Sequence, residues 1–234
     1  MIAWFRRQRF GALFVALIAV MFAYPIFHEF AGTRLIFDIT RAIFFVIALW
    51  VVFEDRRLRV LAFAIGTPSL IAVMVRMVLG DSRPTSVEVF FHGLSAIFFG
   101  MTVYAILRRV YRVPDVTASS VYGAFCCYLL IGIIFGHLYC ILELIRPESF
   151  IITNPNLAVT ESLGRDDYAL IYYSLITITT VGYGDIVPAN SASRSLSTIE
   201  AILGQFMIVV LVAELIGKRV SQAVSTPHSE DPET

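Results

Sequence analysis

Seven residues, Thr179-Thr180-Val181-Gly182-Tyr183-Gly184-Asp185, constrain this chain more than any other stretch. They follow an apolar run, Tyr168 to Thr179, that is too short to cross a bilayer as a helix. They precede a second run, Leu196 to Ile216, that is long enough to cross. Glycine at alternate positions lets an extended backbone take unusual dihedrals, which Gly182 and Gly184 adopt without a Cβ penalty. A plain Gly-Tyr-Gly-Asp turn is the alternative, but a turn does not account for the short run before it and the long run after it. Irregular backbone at membrane depth is tolerated only where it is buried in protein or lines a water- or ion-filled path. The string therefore predicts a re-entrant helix and loop, held among membrane spans.

Composition agrees with that requirement. Of 234 residues, 58% are hydrophobic and 15% charged, and mean hydropathy is +0.78. A soluble domain carries about one quarter charged residues. Eighteen basic and eighteen acidic residues cancel, and no basic patch suited to nucleic acid is present. No Ser-His-Asp set, phosphate loop or metal-ligand spacing occurs, so no catalytic step and no cofactor is expected. Cys126, Cys127 and Cys140 form no disulfide framework. They read as small apolar side chains, with Cys140 near the outer face and open to oxidation. His28, His92, His137 and His228 are scattered, and His137 reads as a packed or hydrogen-bonded residue.

Taken in order, the chain is expected to be an all-α membrane protein. It has six transmembrane helices plus the re-entrant helix and its loop. A basic start with Arg6, Arg7 and Arg9 leads into a first span from Gly11 to Phe27. A cleaved signal peptide competes for this segment, but no Ala-x-Ala-like site follows. The second span is Leu35 to Phe53, with Asp38 and Arg41 on one face. The third is Leu58 to Leu79, with Pro68 as a kink and Arg76 near its end. The fourth is Val87 to Leu107, with Glu88 and His92 at its start and Arg108, Arg109 and Arg112 at its close. The fifth is Ala118 to Leu142, and Glu143 to Asp167 reads as a polar surface loop. Asp166 and Asp167 suit the start of the re-entrant helix, where carboxylates meet open amides. The sixth span, Leu196 to Ile216, stops at Lys218 and Arg219. Residues 1–112 form a four-helix N-terminal domain, 113–219 a second domain and 220–234 a short polar tail.

Basic residues set the orientation. The six-span count puts Arg6, Arg7, Arg9, Arg56, Arg57, Arg59, Arg108, Arg109, Arg112, Lys218 and Arg219 on one side. Arg34, Arg83, Arg146, Arg165 and Arg194 fall on the other. Eleven against five makes the first side, with both termini, cytoplasmic. The loop after Tyr183 then opens outward, and the re-entrant helix directs its negative end toward mid-membrane.

Residues 168–217 resemble the pore domain of the potassium channel superfamily, most of all the bacterial channels built from outer helix, pore helix, filter and inner helix. With the fifth span the resemblance covers about Ala118 to Arg219. The T-V-G-Y-G string is the standard example of a filter whose carbonyl rings replace the hydration shell of K⁺. The resemblance implies that Thr180, Val181, Gly182, Tyr183 and Gly184 form the filter. K⁺ would be the transported ion, held at Thr180, Val181, Gly182 and Tyr183. Asp185 would close the outer mouth, and Thr179 would support the filter at the other end of the string. Tyr172 and Tyr173 stand where relatives often have tryptophan, and Tyr172 can offer its hydroxyl to Asp185. Ile176 stands where some relatives have a glutamate, so a carboxyl pair with Asp185 is not expected. Gly204 falls at the hinge position of the inner helix, where close packing on the pore helix is an equal reading. The resemblance also implies a homotetramer in the lipid of a bacterial plasma membrane, since one chain carries one filter string.

Six spans also resemble the voltage-gated branch, but Val89 to Leu107 has no Arg or Lys. Gating charge that must cross the field is therefore missing, and strong voltage gating is not expected. Asp38, Arg41, Arg76 and Glu88 share the outer half, where Arg76 is expected to pair with Asp38 or Glu88. Glu214 either faces the axis as one of four carboxylates ringing the inner mouth or pairs with Lys218 at i+4. The tail after Arg219 is too short for a ligand-sensing domain, which leaves lipid, pH, tension, the first four spans or a separate regulatory subunit as sources of gating. A potassium uptake transporter subunit and a non-conducting regulatory subunit are alternative functions. Both sit poorly with a single, intact filter string.

Overall fold

A computed structural model describes residues 9–27, 39, 42–49, 56–79, 84–112, 117–153, 163 and 167–225. Six helices and two short strands follow in order: α1 (Arg9–Phe27), α2 (Arg56–Leu79), α3 (Thr85–Arg112), α4 (Ala118–Ile145), β1 (Phe150–Ile152), α5 (Asp167–Ile178), β2 (Ile186–Pro188) and α6 (Ser191–Ser225). Residues 42–49 are also helical. Among the described residues, four helical stretches are long and apolar enough to cross a membrane: Arg56–Val75, Thr85–Arg112, Ala118–Ile145 and Ser191–Ser221. Phe10–Met21 and Tyr168–Ile178 are shorter apolar helices. The expected second span lies largely outside the described residues, as do Asp38, Arg41, Asp166 and the side chain of Arg76.

Helix α4 is the hub. Its start is fixed by a capping box in which Thr117 accepts from the Ser120 amide and Ser120 accepts from the Thr117 amide. One side packs on α1 and α3 through an apolar core that includes Phe10, Leu13, Leu17, Phe98, Ile106, Cys126, Cys127 and Leu130. Phe45 stacks near Phe98 with ring centroids 4.2 Å apart, which ties the 42–49 segment to α3. The packing is continuous across the boundary expected at residue 112. Cys140 is fully buried, so the expected exposure to oxidants is corrected: at this helix position the thiol faces the core.

The opposite side of α4 receives α5. A Cβ on Gly136 would lie 2.7 Å from Ile171 Cγ1 and 2.8 Å from its Cα. Only glycine lets the two backbones come this close, the usual device for tight helix contact in membranes. Within α2, Pro68 removes one helical N–H, and the neighbouring Ser69 hydroxyl donates to the Ile65 carbonyl at 3.2 Å.

Two expectations change. The segment from Glu143 is not wholly a polar loop. Glu143 still belongs to α4 and is buried, and Phe150–Ile152 is a strand paired antiparallel with Ile186–Pro188. The fold is thus helical with a two-stranded sheet. Helix α6 also runs past the expected stop at Ile216 to Ser225. Lys218 and Arg219 end the apolar stretch, but both are good helix formers, so the bilayer limit is not a helix limit.

Among the described candidate spans, helix α6 is the least covered. Only 18% of its apolar window is buried, against 56% for α4. Ile199, Ile202, Leu203, Phe206, Val209, Val212 and Ile216 are exposed. A long apolar face of this kind needs either lipid or another copy of the chain against it.

Candidate functional site

Helix α5 ends in a cap that sets up the loop after it. The Ile176 carbonyl accepts from the Val181 amide at 2.9 Å and the Gly182 amide at 3.1 Å. The Thr180 amide donates to Thr177 at 3.0 Å. Thr177 and Thr179 turn their hydroxyls back onto the Tyr173 and Leu175 carbonyls at 2.7 and 2.6 Å. The amides of the loop are thereby spent on the helix end.

Beyond the cap, the backbone alternates. Thr180, Gly182 and Gly184 have φ of 61°, 55° and 76°, while Val181 and Tyr183 between them do not. Alternating dihedrals turn successive carbonyls toward one side, where a regular strand would alternate them. Among the described residues, the carbonyls of Thr179 through Tyr183 accept no hydrogen bond. Gly182 and Gly184 have open space at the Cβ position, so their requirement is the left-handed φ. Thr180 meets the same requirement without being glycine, which is uncommon for a β-branched residue. The stretch from Thr179 to Gly184 is exposed, with Val181 half and Tyr183 71% accessible.

The far end is anchored. Asp185 accepts from the Tyr172 hydroxyl at 2.6 Å and from the Ile186 amide at 3.0 Å. Thr153 donates its amide to the Asp185 carbonyl at 2.8 Å and its hydroxyl to the Gly184 carbonyl. The strand pair continues this attachment with Ile152 opposite Ile186 and Phe150 opposite Pro188. The Ala189 amide then donates to the Ser149 carbonyl at 2.8 Å. The strands hang in turn from Glu143, whose carboxylate accepts the amides of Glu148, Ser149 and Phe150 at 2.9, 2.9 and 3.1 Å. Glu148 itself has φ of 65°, which bends the chain so that three amides converge on one carboxylate. The Tyr172 contact to Asp185 is the one expected; the strand pair, the Thr153 contacts and the Glu143 anchor were not part of the sequence expectation. The signal available for the strands was the pair of short runs of strand-favouring β-branched and aromatic residues, Phe150-Ile151-Ile152 and Ile186-Val187.

Behind the loop, Tyr173 is buried and shares a hydrogen bond of 2.7 Å with Ser197 of α6. Its ring meets Tyr139 and Phe150 edge-on, at 5.3 and 5.2 Å. Ile176 is buried. Asp185 has the Tyr172 hydroxyl as a side-chain partner, and among the described residues no carboxyl is hydrogen-bonded to it. A carboxyl group does lie behind α5, but it comes from Glu200 of α6, which contacts Tyr139 and Ser174. Sequence reasoning passed over Glu200, although an ionisable residue inside an apolar helix is itself a signal.

Gly204 packs against the end of α5. A Cβ there would sit 2.5 Å from Ile178 Cγ1 and 2.9 Å from the Ile178 carbonyl oxygen. That carbonyl also accepts from the Tyr128 hydroxyl of α4 at 2.7 Å. The close-packing reading of Gly204 therefore has a direct geometric basis, and α6 is helical throughout this region. Glu214 lies 3.2 Å from Lys218 Nζ, the i+4 pairing rather than a solitary carboxylate. Lys218 also donates to the Val110 carbonyl at 2.9 Å, joining the far end of α6 to the last turns of α3. His137 is buried with Nδ1 2.8 Å from Nδ1 of His92, as a hydrogen-bonded histidine should be.

Residues 128–221 match the family model described as ion channel. The match begins within α4 and takes in β1, α5, the loop, β2 and most of α6. No curated protein and no solved structure matches the chain.

Proposed function

We propose that the protein is a potassium-selective channel that passes K⁺ down its gradient without a chemical step. The observation that carries this reading is the loop from Thr179 to Tyr183. Its carbonyls accept no hydrogen bond among the described residues, and left-handed residues alternate along it at 180, 182 and 184. Carbonyls left unclaimed beside alternating dihedrals suit a bare cation, which needs oxygens in place of its lost water shell. Thr180 through Gly184 are the filter, K⁺ is held at Thr180, Val181, Gly182 and Tyr183, and Asp185 stands at the outer mouth. Thr179, Tyr172, Tyr173 and Ile176 support it.

One chain supplies one such strand, so the working unit is a homotetramer with a closed symmetry axis. Two features support assembly. Val181 and Tyr183 have exposed side chains, as residues awaiting a neighbouring subunit would. The exposed apolar face of α6 supplies the area for subunit contact. The tetramer lies in a plasma membrane with both termini cytoplasmic, following the bias of basic residues. Purified protein in liposomes tests the reading: potassium flux should appear, and sodium in place of potassium should abolish most of it.

A further inference from the structure

Conduction as described makes no use of Glu200, yet this residue has no exposed surface. Its Oε2 accepts from the Tyr139 hydroxyl of α4, and its Oε1 meets the Ser174 hydroxyl of α5. Ser174 also reaches the Gly132 carbonyl of α4. Three helices thus converge on one carboxyl group. The titratable groups facing it are phenols: Tyr139 and Tyr128 from α4 and Tyr173 from α5, the last occupied with Ser197 of α6.

The protons do not suffice for an ionised carboxylate. A serine hydroxyl carries one proton, and here two oxygens, Gly132 O and Glu200 Oε1, both lie within its reach. The Tyr139 proton is already directed to Oε2. An ionised Glu200 forces Ser174 to abandon one contact. A neutral Glu200 resolves the set: Oε1–H donates to Ser174 Oγ, Ser174 donates to Gly132, and Tyr139 donates to Oε2. Each proton then has one acceptor.

We propose that Glu200 is held as a neutral acid and acts as a positioning residue: its proton locks α5 between α4 and α6, and its loss to the aqueous phase at high pH releases Ser174 from Gly132 and weakens conduction. The lock bears on the filter because Ser174 lies two residues before Ile176, whose carbonyl holds the Val181 and Gly182 amides. The lock is intact while the acid is neutral and is lost as pH rises through its titration. The effect on conduction rests on the potassium-channel reading, whereas the protonation state does not.

Two measurements on full-length protein in liposomes test the proposal. Infrared spectra of wild type against Glu200→Gln should show a protonated-carboxyl stretch at neutral pH that the variant lacks and that fades on alkalinisation. Potassium flux should decline in wild type over the same pH range. Glu200→Gln offers an N–H donor and a carbonyl acceptor at the same places, so its flux should match wild type at neutral pH and lose the alkaline decline. Ser174→Ala should lower flux at neutral pH by about fivefold, the equivalent of one lost hydrogen bond. Absence of the Glu200-dependent band at neutral pH overturns the proposal, as does a Glu200→Gln protein that fails to assemble or keeps the decline. If wild type shows the band but passes no potassium at any pH, the channel reading fails while the neutral acid stands.

Discussion

The Tyr172 hydroxyl donates to Asp185 Oδ2 at 2.6 Å, bridging the middle of α5 to the residue that ends the Thr179–Asp185 string. The second carboxylate oxygen takes the Ile186 amide at 3.0 Å, so the side chain of Asp185 is held from both sides. The loop is thereby closed between the α5 cap at Ile176 and this bridge.

Tyr172→Phe removes the donor and keeps the ring. A hydrogen bond to a charged group contributes about 1.5–3 kcal/mol, and the half-exposed position puts this one at the lower end. The variant should melt at lower temperature than wild type in potassium, and its flux should fall with selectivity retained. Melting curves in potassium check the first statement and liposome flux in potassium and in sodium checks the second; a wild-type melting temperature contradicts the first, and wild-type flux or lost selectivity contradicts the second.

Gly204→Ala introduces a methyl group 2.5 Å from Ile178 Cγ1 and 2.9 Å from a backbone oxygen. The side chain can shift, but the carbonyl belongs to the end of α5 and cannot shift alone. Overpacking of this kind costs about 1–3 kcal/mol. Reduced thermal stability of the assembled protein is the expected outcome. A variant that is as stable as wild type but opens less often would instead favour the hinge reading.

The parts of this fold that the sequence made legible are those governed by local backbone rules. Gly182 and Gly184 advertise their left-handed φ because few other residues adopt it, and the length of the Tyr168–Thr179 run announces a helix shorter than a membrane span. Thr180 gives no such notice: its left-handed φ accompanies the local cap at Ile176 and Thr177, and a β-branched residue does not advertise that conformation. Glu143 looks like the first residue of a polar loop because its three amide partners lie five to seven residues ahead, a spacing that matches no helix or strand period. Glu200 and Ser174 are 26 residues apart and meet only once α5 has folded back between α4 and α6. Glu214, by contrast, has its partner at i+4, a spacing visible in the sequence.

Glu143→Ala should be among the more damaging single changes outside the Thr179–Asp185 loop. It strips the acceptor from three amides, of which those of Ser149 and Phe150 belong to buried residues. Each buried unsatisfied amide costs about 1–3 kcal/mol. Circular dichroism melting should show a large loss of stability, and Glu143→Gln, which restores one acceptor oxygen, should recover part of it. Equal melting of wild type and Glu143→Ala contradicts the anchoring role.

Glu214→Gln should have little effect on stability, because an i+4 pair on a helix surface contributes about 0.2–0.5 kcal/mol. The ratio of inward to outward conductance at low salt should also stay as in wild type, since the carboxylate is already paired with Lys218. A marked fall in that ratio would restore the acidic-ring reading.

The most direct test of the central claim is the reversal potential of purified protein in planar bilayers under opposed potassium and sodium gradients. The arrangement of carbonyls from Thr179 to Tyr183 predicts a potential close to the potassium equilibrium value, and little current when sodium is the sole cation. A reversal potential near zero, with sodium and potassium passing equally, would contradict the account.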